Sequence, residues 1–93
     1  MANVKDPPVF LTQLKKALVD TLQANGLKAT VKSTRVPTTK LYRLSVRSPQ
    51  FKAMTPSERQ NLVWRIADRA ISRDNQMRIS MILTLTDDEA KGK

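Results

Sequence analysis

Cysteine and histidine are both absent from this chain of 93 residues, and glycine occurs only at Gly26 and Gly92. Without cysteine there is no disulfide framework, no thiolate nucleophile and no redox pair, which suits a reducing, cytoplasmic setting. Without histidine as well, the usual ligand sets for zinc, haem and iron-sulfur clusters are missing, so no cofactor and no metal are expected. No apolar run reaches the roughly 18 residues that a bilayer span requires. No continuous apolar segment follows Met1 to Pro8 as a signal peptide would need, so no membrane insertion is expected. Catalytic patterns are also missing: a nucleophile paired with His or Cys, a glycine-rich phosphate loop, or two carboxylates at helix or strand spacing in the core. The chain reads as non-enzymatic.

Negative charge is the other shortage. There are 8 Asp and Glu against 17 Lys and Arg, a net charge of +9. Between Thr21 and Thr86 only Glu58, Asp68 and Asp74 are acidic, against twelve bases. A cationic middle of this kind suggests a polyanionic partner, nucleic acid first, then an acidic protein or an anionic membrane surface. The hydrophobic fraction of 40% is enough to bury a core, and the length fits one domain over 1–93 with its core at about 9–86.

Asp6, Pro7 and Pro8 form a helix start, and Leu11, Leu14, Leu18 and Leu22 recur at the spacing of one helix face up to about Asn25. Gly26 supplies the left-handed residue that closes such a helix. Leu27 to Thr34 and Thr39 to Arg47 alternate as half-buried strands, with Pro37 in the loop between them and Pro49 ending the second near Ser48. Thr55, Pro56, Ser57 and Glu58 make a capping box, after which Leu62, Val63, Ile66, Ala67 and Ala70 face the core. Ser72 to Gln76 breaks the period as a loop or a short helical turn. Met77 to Thr86 alternates again, with Ile79, Met81, Leu83 and Leu85 inward and Arg78, Ser80 and Thr84 outward, and Asp87 onward reads as a short polar tail.

The order is helix, strand, strand, helix, optional short helix, strand. An α+β domain follows, with a three-stranded mixed sheet and the helices on one face. The first two strands pair antiparallel, and a crossover through the second helix brings the third parallel to the second. Lys28, Lys32, Arg43, Arg47 and Arg78 are then expected on one open face.

Ser48, Pro49, Gln50 and Phe51 after the second strand resemble the Ser-x-x-Phe of the BolA family. Arg59, Leu62, Val63 and Trp64 resemble its Arg-His-Arg helix start with following apolar and aromatic positions, and Thr84, Leu85 and Thr86 its last strand. The similarity runs from about Phe10 to Glu89 and implies a fold related to the class II KH domain, an RNA-binding module. Family members share an iron-sulfur cluster with a monothiol glutaredoxin through histidine and cysteine ligands. Gln60 and Asn61 fill the rest of the triplet here, Arg78 stands at the start of the last strand, and Ser33 to Thr39 holds neither ligand type. Cluster ligation therefore does not carry over. No Gly-x-x-Gly loop of the KH kind is present either.

The candidate phosphate contacts are Arg43, Arg47, Lys52, Arg59, Arg65, Arg69 and Arg78. Arg43 and Arg47 flank Ser45 on one side of a strand, a spacing suited to tracking a phosphate backbone, or else a solvated edge kept charged against aggregation. Lys52 and Arg59 flank the start of the second helix, where an anion could sit, unless Arg59 pairs with a nearby acid. Arg65 and Arg69 lie one turn apart on that helix, with Asp68 between them. Trp64 and Tyr42 read as core or interface residues. Asp87, Asp88 and Glu89 are consecutive carboxylates of the sort that solvent covers, not a cation site. The leading expectation is a BolA-like nucleic-acid-binding module. The alternative is an adaptor docking an acidic protein, such as a monothiol glutaredoxin or an assembly factor, without iron-sulfur ligation of its own.

Overall fold

In a computed structural model describing residues 8–91, Leu11, Leu14, Leu18 and Leu22 are fully buried along one stripe of the first helix. That helix, α1, spans Val9–Ala24; Pro8 is its N-cap and offers no side-chain hydrogen bond. Asp6 and Pro7 lie outside the described residues. At the other end Gly26 adopts φ 83°. Its N–H donates to the Gln23 carbonyl and that of Leu27 to the Leu22 carbonyl, at 3.0 and 2.8 Å. This crossed pair satisfies two otherwise orphaned carbonyls, and the left-handed turn it requires costs glycine nothing.

Strands β1 (Thr30–Arg35) and β2 (Tyr42–Arg47) form an antiparallel hairpin, and β3 (Ile79–Leu85) pairs parallel to β2, giving the order β1-β2-β3. Between β2 and β3 lie a 3-10 turn (Pro49–Ala53), α2 (Pro56–Ala70) and the short α3 (Arg73–Gln76). The α+β layout expected from the sequence is the observed one. Leu44 and Val46 of β2 are fully buried with Val63, Ile66 and Ala67 of α2 and the leucines of α1, so the helices share one face of the sheet and the core lies between. The second face is left open by α1 and α2. Among the described residues no helix is long and apolar enough to cross a membrane.

The α2 capping box is present: Glu58 N–H donates to Thr55 Oγ1 at 3.2 Å and Thr55 N–H to Glu58 Oε1 at 2.8 Å. The same device recurs at the end of β3. Thr86 N–H donates to Glu89 Oε1 at 2.9 Å, and Glu89 N–H to Thr86 Oγ1 at 3.1 Å. It starts a fourth helix, α4 (Asp87–Lys91), where the sequence reading had placed a polar tail. Thr86-x-x-Glu89 repeats the pattern of Thr55-x-x-Glu58, so the signal was in the sequence.

Strand β3 departs further from its expected alternation. Tyr42 pairs with Ile79 but Arg43 pairs with Met81, so one extra residue, Ser80, is accommodated in β3. The Ser80 hydroxyl donates to the Tyr42 carbonyl at 3.2 Å across the irregularity. An extra residue inverts the inward and outward phase of everything beyond it. Ile79 and Ile82 are therefore buried, while Met81 and Leu83 are 42% and 37% exposed, and Leu85 follows them on the open side. Strict period-two reading had put Met81, Leu83 and Leu85 inward and Thr84 outward.

Candidate functional site

The open sheet face consists of three rows of side chains. Thr30, Lys32 and Thr34 stand on β1; opposite them on β2 stand Arg47, Ser45 and Arg43; next to these on β3 stand Leu85, Leu83 and Met81. Lys32 is paired with Ser45 and lies diagonal to both arginines. Such diagonals measure roughly 7–8 Å and two arginines four residues apart on a strand about 13 Å, so the cations form a triangle around one hydroxyl. No acidic residue occurs in any of the three strands. A cationic band runs beside an apolar one.

The seven candidate cations have different fates. Arg43 is exposed on this face, and Arg47 is half-exposed with its Nε 3.5 Å from Asp87 Oδ1. Lys52 is exposed in the 3-10 turn, off the sheet. Arg65 and Arg69 are exposed on α2 and line a shallow groove between α1 and α2 with Ala17 and Leu62. That groove belongs to the helical layer, on the opposite side of the sheet from Arg43. The basic residues thus make two surfaces, one on the open sheet face and one on the helical layer.

One further expectation is corrected. Arg78 was expected outward on the open face, but it lies in the turn ahead of β3 with its guanidinium 5.0 Å from the Phe10 ring centre and 5.6 Å from that of Tyr42. Those two rings meet edge to face at 6.1 Å, and the cation covers them on the helical side. Lys28 precedes β1 and is exposed, its N–H held by Gln50 Oε1 at 2.9 Å.

For Arg59 two roles are open from the sequence, an anion holder with Lys52 or the partner of a nearby acid, and the structure pairs it with Glu89. It is 7% exposed, and its Nε and Nη1 donors are engaged within the protein. Nε donates to the Phe51 and Met54 carbonyls at 3.0 and 3.2 Å, and Nη1 to the Thr84 carbonyl at 3.4 Å and to Glu89 Oε1 at 3.0 Å. The guanidinium also lies 5.7 Å from the Phe51 ring centre. A buried guanidinium is tolerated when its fork of donors meets convergent acceptors, and the 3-10 turn supplies two of them. Arg59 staples the 3-10 turn, β3 and α4 together. The Thr86 backbone N–H, and then the Arg59 guanidinium, hold the Glu89 carboxyl below its ordinary range, against the opposing effect of desolvation.

Its neighbour Gln60 donates to the Ile82 carbonyl at 2.7 Å and to Thr84 Oγ1 at 3.3 Å, and its Oε1 accepts from Trp64 Nε1 at 3.2 Å. Trp64 is accordingly half-buried against the core, with its ring N–H occupied. Gln60 and Arg59 cover carbonyls on the free edge of β3, where another chain could otherwise add. No sequence pattern announced this role for Gln60 beyond its one-turn spacing from Trp64.

At the lower end of the open face a groove of about 780 Å³ runs between the strands and the first turn of α2. Lys32, Ser45, Arg47, Leu83, Arg59 and Glu89 are among its lining residues. Cationic side chains line it beside an apolar wall, with α4 closing one side. In comparisons with known protein families, curated proteins and solved structures, the chain matches none.

Proposed function

We propose that this chain is a non-enzymatic, BolA-like nucleic-acid-binding module of the cytoplasm that contacts phosphates through the open face of its sheet. One observation carries the reading: the face that α1 and α2 leave open presents Lys32, Arg43 and Arg47 around Ser45, on strands devoid of acidic residues. Phosphate contacts position a chain electrostatically and carry little sequence information, so modest sequence preference goes with this arrangement. Three neutralised phosphates imply that affinity for a single strand falls roughly 20-fold between 50 and 200 mM salt. Binding isotherms across salt, with single- and double-stranded DNA and RNA, test this. Charge reversal at Lys32 and Arg43 together should abolish measurable binding, whereas reversal at Arg65 and Arg69 should weaken it far less. Equal losses from the two pairs would place the interface elsewhere, and no retention at low salt would end the proposal.

A second reading has its own support. Met81 and Leu83 remain 42% and 37% exposed beside the cations, a mixture that suits an acidic protein with apolar anchors. A partner that survives nuclease treatment and is lost on Leu83→Ser would favour this adaptor role.

A further inference from the structure

The cationic end of the open face already has an anionic neighbour in the same chain. Asp87 Oδ1 lies 3.5 Å from Arg47 Nε, and Glu89 Oε1 lies 3.0 Å from Arg59 Nη1, both arginines lining the groove that α4 closes. The Thr86–Glu89 capping box accounts for α4 as a helix without Asp87, so the contact with Arg47 is not required to start it. Asp87 and Arg47 are 49% and 41% exposed, the regime in which an ion pair is readily exchanged for another. A helix of five residues adds little persistence of its own and depends on what it docks against.

We propose that α4 is an intramolecular competitor for this groove: the carboxylates of Asp87 and Glu89 stand where phosphate oxygens of a nucleic acid would meet Arg47 and Arg59, and binding displaces the helix. The inference rests on the nucleic-acid reading of the open face and adds its regulation. Displacement frees Arg47 for the ligand and lets a phosphate replace Glu89 at Arg59, so the buried guanidinium keeps an anionic partner. Apparent affinity is reduced by the fraction of molecules with α4 docked.

The test compares dissociation constants for a short single-stranded oligoribonucleotide at low salt. Asp87→Asn should tighten binding about three- to tenfold, the factor by which the docked state suppresses it. Asp74→Asn, which removes one negative charge outside the groove, should change it less than twofold. In an Arg47→Ala background the gain from Asp87→Asn should shrink to that of Asp74→Asn. Equal gains from the two Asn variants, or a gain that persists without Arg47, overturn the competitor. If none of the proteins binds the oligonucleotide, the nucleic-acid reading fails, and hydrogen exchange decides the competitor independently. Tripolyphosphate should then speed exchange of the Ala90 amide, which donates to the Thr86 carbonyl at 3.0 Å, relative to chloride at equal ionic strength. Unchanged exchange overturns the proposal.

Discussion

Arg59 and Arg43 are the same residue type in the same basic chain, yet one is a structural staple and the other a free surface charge. Arg59 sits four positions into a helix whose first turn faces a 3-10 turn, and the carbonyls of Phe51, Met54 and Thr84 converge on it. Arg43 projects from the middle strand into solvent, away from every helix. Formal charge therefore says little about availability. What decides is whether backbone acceptors converge where the guanidinium falls, because a buried cation persists only when its donors are matched.

The largest expected effect tests that contrast directly. Arg59→Met removes the guanidinium from three carbonyls and from Glu89, and should lower unfolding free energy by about 3 kcal/mol in urea titrations. Arg43→Ala should stay within about 0.5 kcal/mol of the parent while, on the proposed function, lowering affinity for nucleic acid. A stability loss at Arg43 as large as that at Arg59 would dissolve the comparison. Gln60→Ala, which uncovers the edge of β3 and strands the Trp64 ring N–H, should cost about 1–2 kcal/mol by the same titration. Its effect on binding should be nil, since Gln60 is not on the open face.

The two capping boxes sharpen the contrast at smaller scale. Thr55→Ala should cost about 1 kcal/mol globally, because α2 carries core residues and its loss unfolds the domain. Thr86→Ala should leave the global urea midpoint nearly unchanged and show itself instead as faster amide exchange in α4. Glu89 gives the pH counterpart. Its carboxyl is depressed in the folded state, so its contribution is present above the ordinary carboxylate range and is lost as pH falls through the lower folded value. Parent and Glu89→Gln stabilities should accordingly converge on acidification, and a constant gap down to low pH would contradict that role.

The smallest effect lies in the hairpin loop. Thr38 has φ 63°, in the left-handed region that disfavours a β-branched side chain. Thr38→Gly should raise stability by about 0.5 kcal/mol, the relief of strain being partly offset by the extra freedom of glycine in the unfolded chain. A loss on substitution would mean that the Thr38 hydroxyl, 2.6 Å from the Pro37 carbonyl, matters more than its backbone.

Local signals carried most of the fold. The leucine stripe of α1, Gly26, the alternation of β2 and the Thr55–Glu58 box are short-range patterns whose physics is contained in a few neighbouring residues. Thr86–Glu89 was equally local, and was obscured by the consecutive acids that suggested a solvated tail. The candidate site was less legible. Arg43 and Arg47 were placed on the open face by strand alternation alone, but Met81, Leu83 and Leu85 were assigned to the wrong side because the extra residue at Ser80 depends on pairing with β2.

By itself, then, the sequence determined the element order as far as β3, the helix ends at Gly26 and Thr55, the excess of positive charge and the absence of histidine and cysteine side chains, all properties of composition or of residues within one turn of each other. Only the tertiary structure decided which cations remain available. Burial of Arg59 among distant carbonyls, the stacking of Arg78 over Phe10 and Tyr42, the phase inversion of β3 and the docking of α4 beside Arg47 all arise from contacts between segments far apart in the chain. Geometry of that kind is fixed by packing, and periodicity along one strand cannot contain it.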